Sequence, residues 1–179
     1  MRIGLIGAPG AGKDVVADFL VTHKGFKKMA FADQIKKEYY AVSGYSEEQF
    51  KTSRGMPLEN EIRQGLWDYS GKIKEKNGPH HFIDPVINII EKCDKDVVIS
   101  DVRTAFEVRR MVGIGAILIL VSRDVSSDLS AEKVPGTQLP VSSVGANLWF
   151  ENNYNTLEEA YKELENFYET QIKGECNGS

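Results

Sequence analysis

Cysteine is scarce: only Cys93 and Cys176 occur in 179 residues. They lie far apart and match no metal-ligand spacing, and a domain of this length does not need a disulfide staple. The plain expectation is a reducing, cytoplasmic setting. No apolar stretch approaches the roughly 20 residues of a membrane span. The N-terminal apolar run is only a few residues long, so no secretory leader is expected either. An excess of positive charge is also missing. Lys and Arg number 22 against 26 Asp and Glu, a net charge of −4. That speaks against a generally basic nucleic-acid surface and leaves room for a local basic patch. There is no internal repeat and no low-complexity segment. What remains, at 41% hydrophobic and 27% charged residues, is an ordinary globular composition with enough chain for one core.

The stretch that organises the chain is Gly7-Ala8-Pro9-Gly10-Ala11-Gly12-Lys13-Asp14. It follows Arg2 to Ile6, an apolar run that reads as a buried strand. It precedes Val15 to Leu20, where apolar residues recur at helical spacing. Strand, glycine-rich turn and helix form the context of a P-loop. Glycines let backbone N–H groups curl around an anion. The helix that follows turns its positive dipole end to the same place, and Lys13 is placed for the β- and γ-phosphates of a nucleotide. Three fixed positions arise by chance in about one chain of this length in twenty, given glycine at roughly 7%. The flanking strand and helix narrow that further. The residue after the lysine is Asp14, where such loops carry Ser or Thr.

Further along, Gly25 is a helix stop and Phe26 to Ala30 a second strand. Gln34 to Tyr40 reads as a helix capped by Asp33. Tyr45-Ser46-Glu47-Glu48 reads as another cap, with a short helix through Phe50, and Pro57 opens a longer one with Ile62, Leu66, Tyr69 and Ile73 on one face. Asn77-Gly78-Pro79 breaks the chain before a helix from His80 to Cys93, with Phe82, Val86, Ile89 and Ile90 inward. Asp96 to Asp101 is an apolar strand ending in a carboxylate. Thr104 to Val112 is a helix, Ala116 to Val121 a strand, and Leu148 to Phe150 a last short strand. A final helix runs from Leu157 to about Ile172. Strands alternating with helices predict a three-layer α/β/α domain, the P-loop NTPase fold, with a mostly parallel five-stranded sheet. The expected organisation is one domain over 1–179, with a lid-like segment at about 123–146 and a frayed tail at 174–179. Ligands of such sheets bind at the carboxyl ends of the strands, so Gly7, Asp101 and Arg123 should share one edge.

Several side chains around the loop carry two readings each. Asp101 is placed as a Walker B-like carboxylate for Mg²⁺, or as a helix cap. Asp14 offers Mg²⁺ a charged oxygen, or merely favours the helix N-terminus. Arg103 is a bidentate phosphate clamp, or a surface partner of Glu107. Arg63 is a second phosphate candidate on a helix beside Trp67, or a solvated arginine. Arg109 and Arg110 read as solvated, and Arg123 is a candidate lid arginine. His80-His81 lacks partners at ligand spacing and reads as a helix start. Tyr39, Tyr40 and Trp67 suit base stacking or core packing.

These pieces resemble the phage deoxynucleoside monophosphate kinases of the T-even type. The shared features are Gly-Lys-Asp at 12–14, the helix Asp14 to Leu20, and Phe31-Ala32-Asp33-Gln34-Ile35-Lys36. A helix with Arg63 and Gly71, Asp101-x-Arg103 with Glu107, and Phe150-Glu151-Asn152-Asn153 followed by Thr156 to Glu159 complete the set. Asp33-Gln34 stands where that family has Gly-Pro. Animal-type phosphomevalonate kinases, phage kinases acting on 5-hydroxymethyluracil in DNA, and dephospho-coenzyme A kinase share the outline.

The resemblance implies an ATP-dependent kinase using Mg²⁺, with Ala8, Pro9, Gly10, Ala11, Gly12, Lys13, Asp14, Val15 and Arg123 on the nucleotide. Asp14 and Asp101 would serve the metal, and Lys13, Asp101 and Arg103 the transfer. Asp33, Lys36, Arg63, Trp67, Arg103 and Glu107 would serve the acceptor. That acceptor is expected to be a small nucleotide, with DNA left open as a substrate and a homodimer left open as the assembly. A viral origin would place the chain in host cytoplasm. A P-loop switch or binding module without acceptor transfer is the reading from another class. No guanine-specifying Asn-Lys-x-Asp is present.

Overall fold

Five short segments become strands, apolar except for the lysine-led second: β1 (Arg2–Ile6), β2 (Lys27–Met29), β3 (Val97–Ile99), β4 (Ile117–Ser122) and β5 (Leu148–Glu151). The computed structural model describes residues 1–123 and 145–177. The chain divides into two compact units, Met1–Ala30 with Ile89–Ser179, and Phe31–Asn88. The sequence alone suggested a single domain.

The first unit holds the sheet. Its strand order is β2-β3-β1-β4-β5, and every neighbouring pair is parallel. Ile3 stands opposite Val98 on one side and Ile117 on the other. Alternation along a strand sends successive side chains to opposite faces. Ile3 and Leu5 join Val98, Ile119, Val121 and Phe150 in one cluster with Val16, Phe19 and Leu20 of α1 (Lys13–Lys24). Leu164 and Phe167 of α7 (Leu157–Phe167) complete that layer. Gly4 faces the other way: a Cβ there would lie 2.8 Å from Leu118 Cδ2 and 3.3 Å from Met111 Cε. Met111 belongs to α6 (Ala105–Gly113). Both faces are therefore covered, which is why the central strands β3, β1 and β4 read as near-continuous apolar runs instead of alternating ones. The three-layer parallel architecture expected from the sequence is the one found.

Helix ends follow local chemistry. Gly25 ends α1 in the left-handed region, its N–H bonding to Leu20 O. Thr104 and Glu107 form a reciprocal capping box at the start of α6, and Thr156 and Glu159 form another at α7. After α7 the chain passes through a π-helical turn, Tyr168–Ile172, into α8 (Lys173–Asn177). Residues 174–177 are thus helical where fraying was expected. Tyr168 and Ile172 are buried. Lys24 Nζ reaches Glu165 at 2.6 Å and stands 4.5 Å from the Tyr168 ring centre. Those contacts hold the turn from which the last helix grows.

The second unit is helical: α2 (Phe31–Ser43), α3 (Glu47–Thr52), α4 (Pro57–Asn77) and most of α5 (His80–Glu91). Both α2 and α3 pack against α4. Ser46 and Gln49 form a third capping box, and Pro57 sits in the first turn of α4. The Tyr39 ring lies among those of Tyr40, Tyr45 and Tyr69. Gly65 makes room for it, since a Cβ at 65 would lie 2.0 Å from Tyr39 Oη.

Two local expectations are corrected here. Asp33 is not the cap of α2, because burial of Phe31 starts the helix two residues earlier and leaves Asp33 in its first turn. Ile89 is exposed, whereas Phe82, Val86 and Ile90 are buried at four-residue spacing. The buried stripe runs through Phe82, Ile83, Val86, Ile87 and Ile90, the i, i+1, i+4, i+5, i+8 set of one helix face, and Ile89 falls outside it. Of the expected lid, only Arg123, Gly145 and Ala146 fall among the described residues.

Candidate active site

The strand order reverses direction at β1, which is flanked by β3 and β4. In parallel sheets the crevice outside such a point takes the ligand. The loop Gly7–Gly12 leaves β1 there. Gly7 is buried against β4, and a Cβ would come within 2.2 Å of the Val121 carbonyl oxygen. Only glycine lets the chain turn off the strand so close to its neighbour. The Ala11 N–H bonds to Ala8 O at 3.2 Å and closes the loop beneath an exposed Pro9-Gly10 tip. Gly10 and Gly12 hold φ of +80° and +95°. Gly12 is the N-cap of α1 and supplies no side-chain cap, unlike Ser46, Thr104 and Thr156 on their helices. The first-turn amides and positive dipole end of α1 are presented without a capping oxygen of the helix's own.

Lys13 folds back over this loop, its Nζ donating to Gly7 O at 2.9 Å and Ala8 O at 2.7 Å. Burial pushes its ammonium below the ordinary lysine value, and the charge of Arg103 adds to that. Asp14 and Asp101 offset part of the effect. Asp101 and Arg103 both follow β3, where Val102 N–H bonds to Leu5 O at 3.2 Å and keeps the segment beside the end of β1. Arg103, Asp14 and Asp101, all of one unit, therefore each act electrostatically on Lys13. Arg123 follows β4 at the same carboxyl edge.

Asp14 itself is committed elsewhere: its Oδ1 accepts from Lys28 Nζ at 2.9 Å, and Asp18 Oδ1 does so at 3.0 Å. Glu107, placed with the acceptor by resemblance, is buried. Its Oε2 accepts from the backbone N–H groups of Arg103 at 2.6 Å and Thr104 at 2.9 Å. It shapes the turn that carries Arg103. The Thr104-x-x-Glu107 spacing was a legible capping signal.

Asn152 stood in the sequence only as part of the Phe150-Glu151-Asn152-Asn153 resemblance, with no role at this loop. It follows the edge strand β5, is buried, and donates Nδ2 to Ala11 O at 3.2 Å. No periodicity marks a single asparagine that far along the chain.

The remaining acceptor candidates lie in the helical unit. Asp33 pairs with Lys36 at 3.6 Å. Arg63 pairs with Glu59 at 2.6 Å, with its guanidinium 5.1 Å from the Phe50 ring centre. Trp67, one turn after Arg63, is 74% exposed and is not core. His81 is engaged by Glu38 at 2.9 Å. Among the described residues no group of three or more His, Cys, Asp or Glu side chains is arranged for a metal. No helix among them is long and apolar enough to cross a membrane.

No family model and no curated protein matches this chain. Solved structures do. TT1252 from Thermus thermophilus aligns over 93% of this chain and 96% of its own, at 18% identity and a TM-score of 0.53. Shikimate kinase from Aquifex aeolicus aligns over 100% of both chains, at 14% identity and a TM-score of 0.49. The Mycobacterium tuberculosis APS kinase CysC, solved with AMPPNP and APS, aligns over 94% of this chain and 97% of its own, at 14% identity and 0.45. The likeness to TT1252 is one of fold.

Proposed function

We propose that this chain is an ATP-dependent P-loop kinase that transfers the γ-phosphoryl group of ATP to a deoxynucleoside 5′-monophosphate. The observation that carries this reading is Lys13 folded over its own glycine loop at an uncapped helix N-terminus, under the electrostatic influence of Asp101 and Arg103. The resemblance through Gly-Lys-Asp and Asp-x-Arg supplies the acceptor class.

Phosphoryl transfer asks for positioning and charge neutralisation more than for covalent chemistry. An acceptor phosphate is already a nucleophile near neutral pH and needs no base. Its oxygen bonds to the γ-phosphorus as the bond to the β,γ-bridging oxygen breaks, giving ADP and a deoxynucleoside diphosphate. Backbone N–H groups between Ala8 and Asp14, Pro9 having none, cradle the β-phosphate. Lys13 exchanges its two carbonyl partners for phosphate oxygens and follows the γ-phosphoryl group. Arg103, exposed at its turn, neutralises phosphate charge. Lys36, Arg63 and Trp67 serve the acceptor by resemblance.

The donor set fits Mg²⁺, which is bound through one or two carboxylates, waters and substrate phosphates and not by an all-protein cage. Asp101, with Asp14 once released from Lys28, would hold it. The ion when bound neutralises charge on the β- and γ-phosphate oxygens.

The test is to follow label from γ-labelled ATP into products. The panel holds each deoxynucleoside and ribonucleoside monophosphate, phosphomevalonate, and DNA containing 5-hydroxymethyluracil. Label in a deoxynucleoside diphosphate supports the proposal. Label only in phosphomevalonate would replace the acceptor with another phosphate, and label only in the modified DNA would make Asp101 or Asp33 the group to test as a base for its hydroxyl.

A further inference from the structure

We infer that Asn152 is the positioning residue that orients the phosphate loop. The inference rests on the proposal that this loop binds nucleotide phosphates. Three contacts place the residue. Its backbone N–H extends the parallel ladder past β5, bonding to Ser122 O at 2.7 Å, so its Cα is fixed by the sheet. The residue is only 6% exposed, one of three buried polar or charged residues among those described. Its amide spans 141 residues of sequence to donate to Ala11 O at 3.2 Å.

The amide also occupies the space that a side chain at 12 would need. A Cβ on Gly12 would lie 1.9 Å from Asn152 Nδ2 and 3.0 Å from its Cγ. Gly12 is therefore required twice, by its left-handed φ of +95° and by this contact.

The consequence lies in the peptide between Ala11 and Gly12. It is trans, as are all the described peptide bonds, and a trans peptide points its C=O and N–H in opposite directions. With the Ala11 carbonyl held by Asn152, the Gly12 N–H is aimed away from Asn152, as a loop amide that serves the β-phosphate. Rotation of this peptide would turn a carbonyl dipole toward the anion. Asn152 opposes that rotation from a rigid strand end, at the helix end where Gly12 offers no cap. It touches no phosphate itself, so its effect passes through the loop backbone.

The experiment measures ADP and AMP binding by titration calorimetry for the wild-type chain and the Lys13→Ala, Asn152→Ala, Asn152→Ser and Asn152→Asp variants. Thermal unfolding is recorded for each. The diagnostic quantity is the affinity ratio of ADP to AMP, which isolates the β-phosphate. Asn152→Ala should cut that ratio about tenfold, the size of one lost hydrogen bond. Asn152→Asp should cut it further, because a carboxylate oxygen would then face the Ala11 carbonyl. Asn152→Ser covers the case in which either variant fails to fold. A merely structural asparagine would lower the unfolding temperature and leave the ratio of the folded variants at the wild-type value, which would overturn the inference alone. A wild-type chain with no preference for ADP over AMP, matched by Lys13→Ala, would overturn the phosphate-loop reading and the inference together.

Discussion

Lys28, on the edge strand β2, closes an ion pair onto Asp14 in the first turn of α1, with Nζ and Oδ1 2.9 Å apart. The residue that distinguishes this loop from the common Gly-Lys-Ser/Thr form thus has a cation of its own. Burial alone would lower the Lys28 ammonium. Its hydrogen bonds to Asp14 and Asp18, with their charges, outweigh that and hold it above the ordinary lysine value.

Because the folded value is raised, the stability it contributes is complete below the ordinary lysine value of about 10.4 and is lost as pH rises through the folded value. Lys28→Met should cost about 0.2–1 kcal/mol at pH 7, as exposed pairs do. In urea titrations from pH 8 to 11 its deficit should shrink at the alkaline end. A deficit independent of pH would assign the effect to packing of the lysine stem.

Lys13 runs the other way. Burial first, then Arg103, lowers its ammonium, so charge there opposes folding. The penalty is full below the folded value and vanishes above the ordinary one, so the wild type should gain on Lys13→Met as pH rises toward about 10.4. At pH 7 the variant should unfold within about 1 kcal/mol of wild type, the worth of the hydrogen bonds it loses. Its phosphoryl transfer should fall by at least about 100-fold, the scale of a lost transition-state donor. A large loss of stability with activity kept would contradict the assignment.

The loop glycines should separate by what surrounds them. Gly7→Ala meets the Val121 carbonyl at 2.2 Å and should cost about 3 kcal/mol. Gly10→Ala meets nothing within 4 Å and carries only its left-handed φ, worth about 1 kcal/mol. Thermal midpoints should fall by about 10 °C for the first and about 3 °C for the second. Equal shifts would mean that Gly7 is not packed as described.

In the helical unit, Glu38 accepts from Gln34 at 2.7 Å and from Tyr69 at 3.3 Å, and pairs with His81 at 2.9 Å. Burial would raise its carboxyl. The hydrogen bonds from Gln34 and His81, with the charge of His81, outweigh it and hold it low. That stabilisation is present above the ordinary glutamate value of about 4.3 and is lost as pH falls through the folded value. The margin of wild type over Glu38→Gln should therefore close below about pH 4. A constant margin would leave the carboxylate no electrostatic role.

The strand-loop-helix of residues 2–24 was legible because each local signal agreed: a buried strand, glycines where φ turns positive, and a helical period afterward. The five strands and their parallel pairing followed from apolar runs alternating with helices. What escaped was set by tertiary contact. Asn152 acquires its role only when β5 joins the sheet edge and delivers it to Ala11. Asp33 looked like a cap until burial of Phe31 began the helix earlier. Glu107 was read by analogy as an acceptor contact although its own capping box was written three residues upstream. Trp67 carried two readings, and its exposure removes the packing one. The separation of residues 31–88 as a unit left no mark in composition, since no linker-like segment flanks it.

The most direct measurement is ADP formation from Mg·ATP with and without a deoxynucleoside monophosphate, for the wild-type chain and Lys13→Met. ADP production that requires the acceptor, matches deoxynucleoside diphosphate formed one for one, and disappears in Lys13→Met is the predicted result. ADP production indifferent to any acceptor, or none at all with ATP bound, would contradict the kinase reading and make the loop that of a switch or binding module.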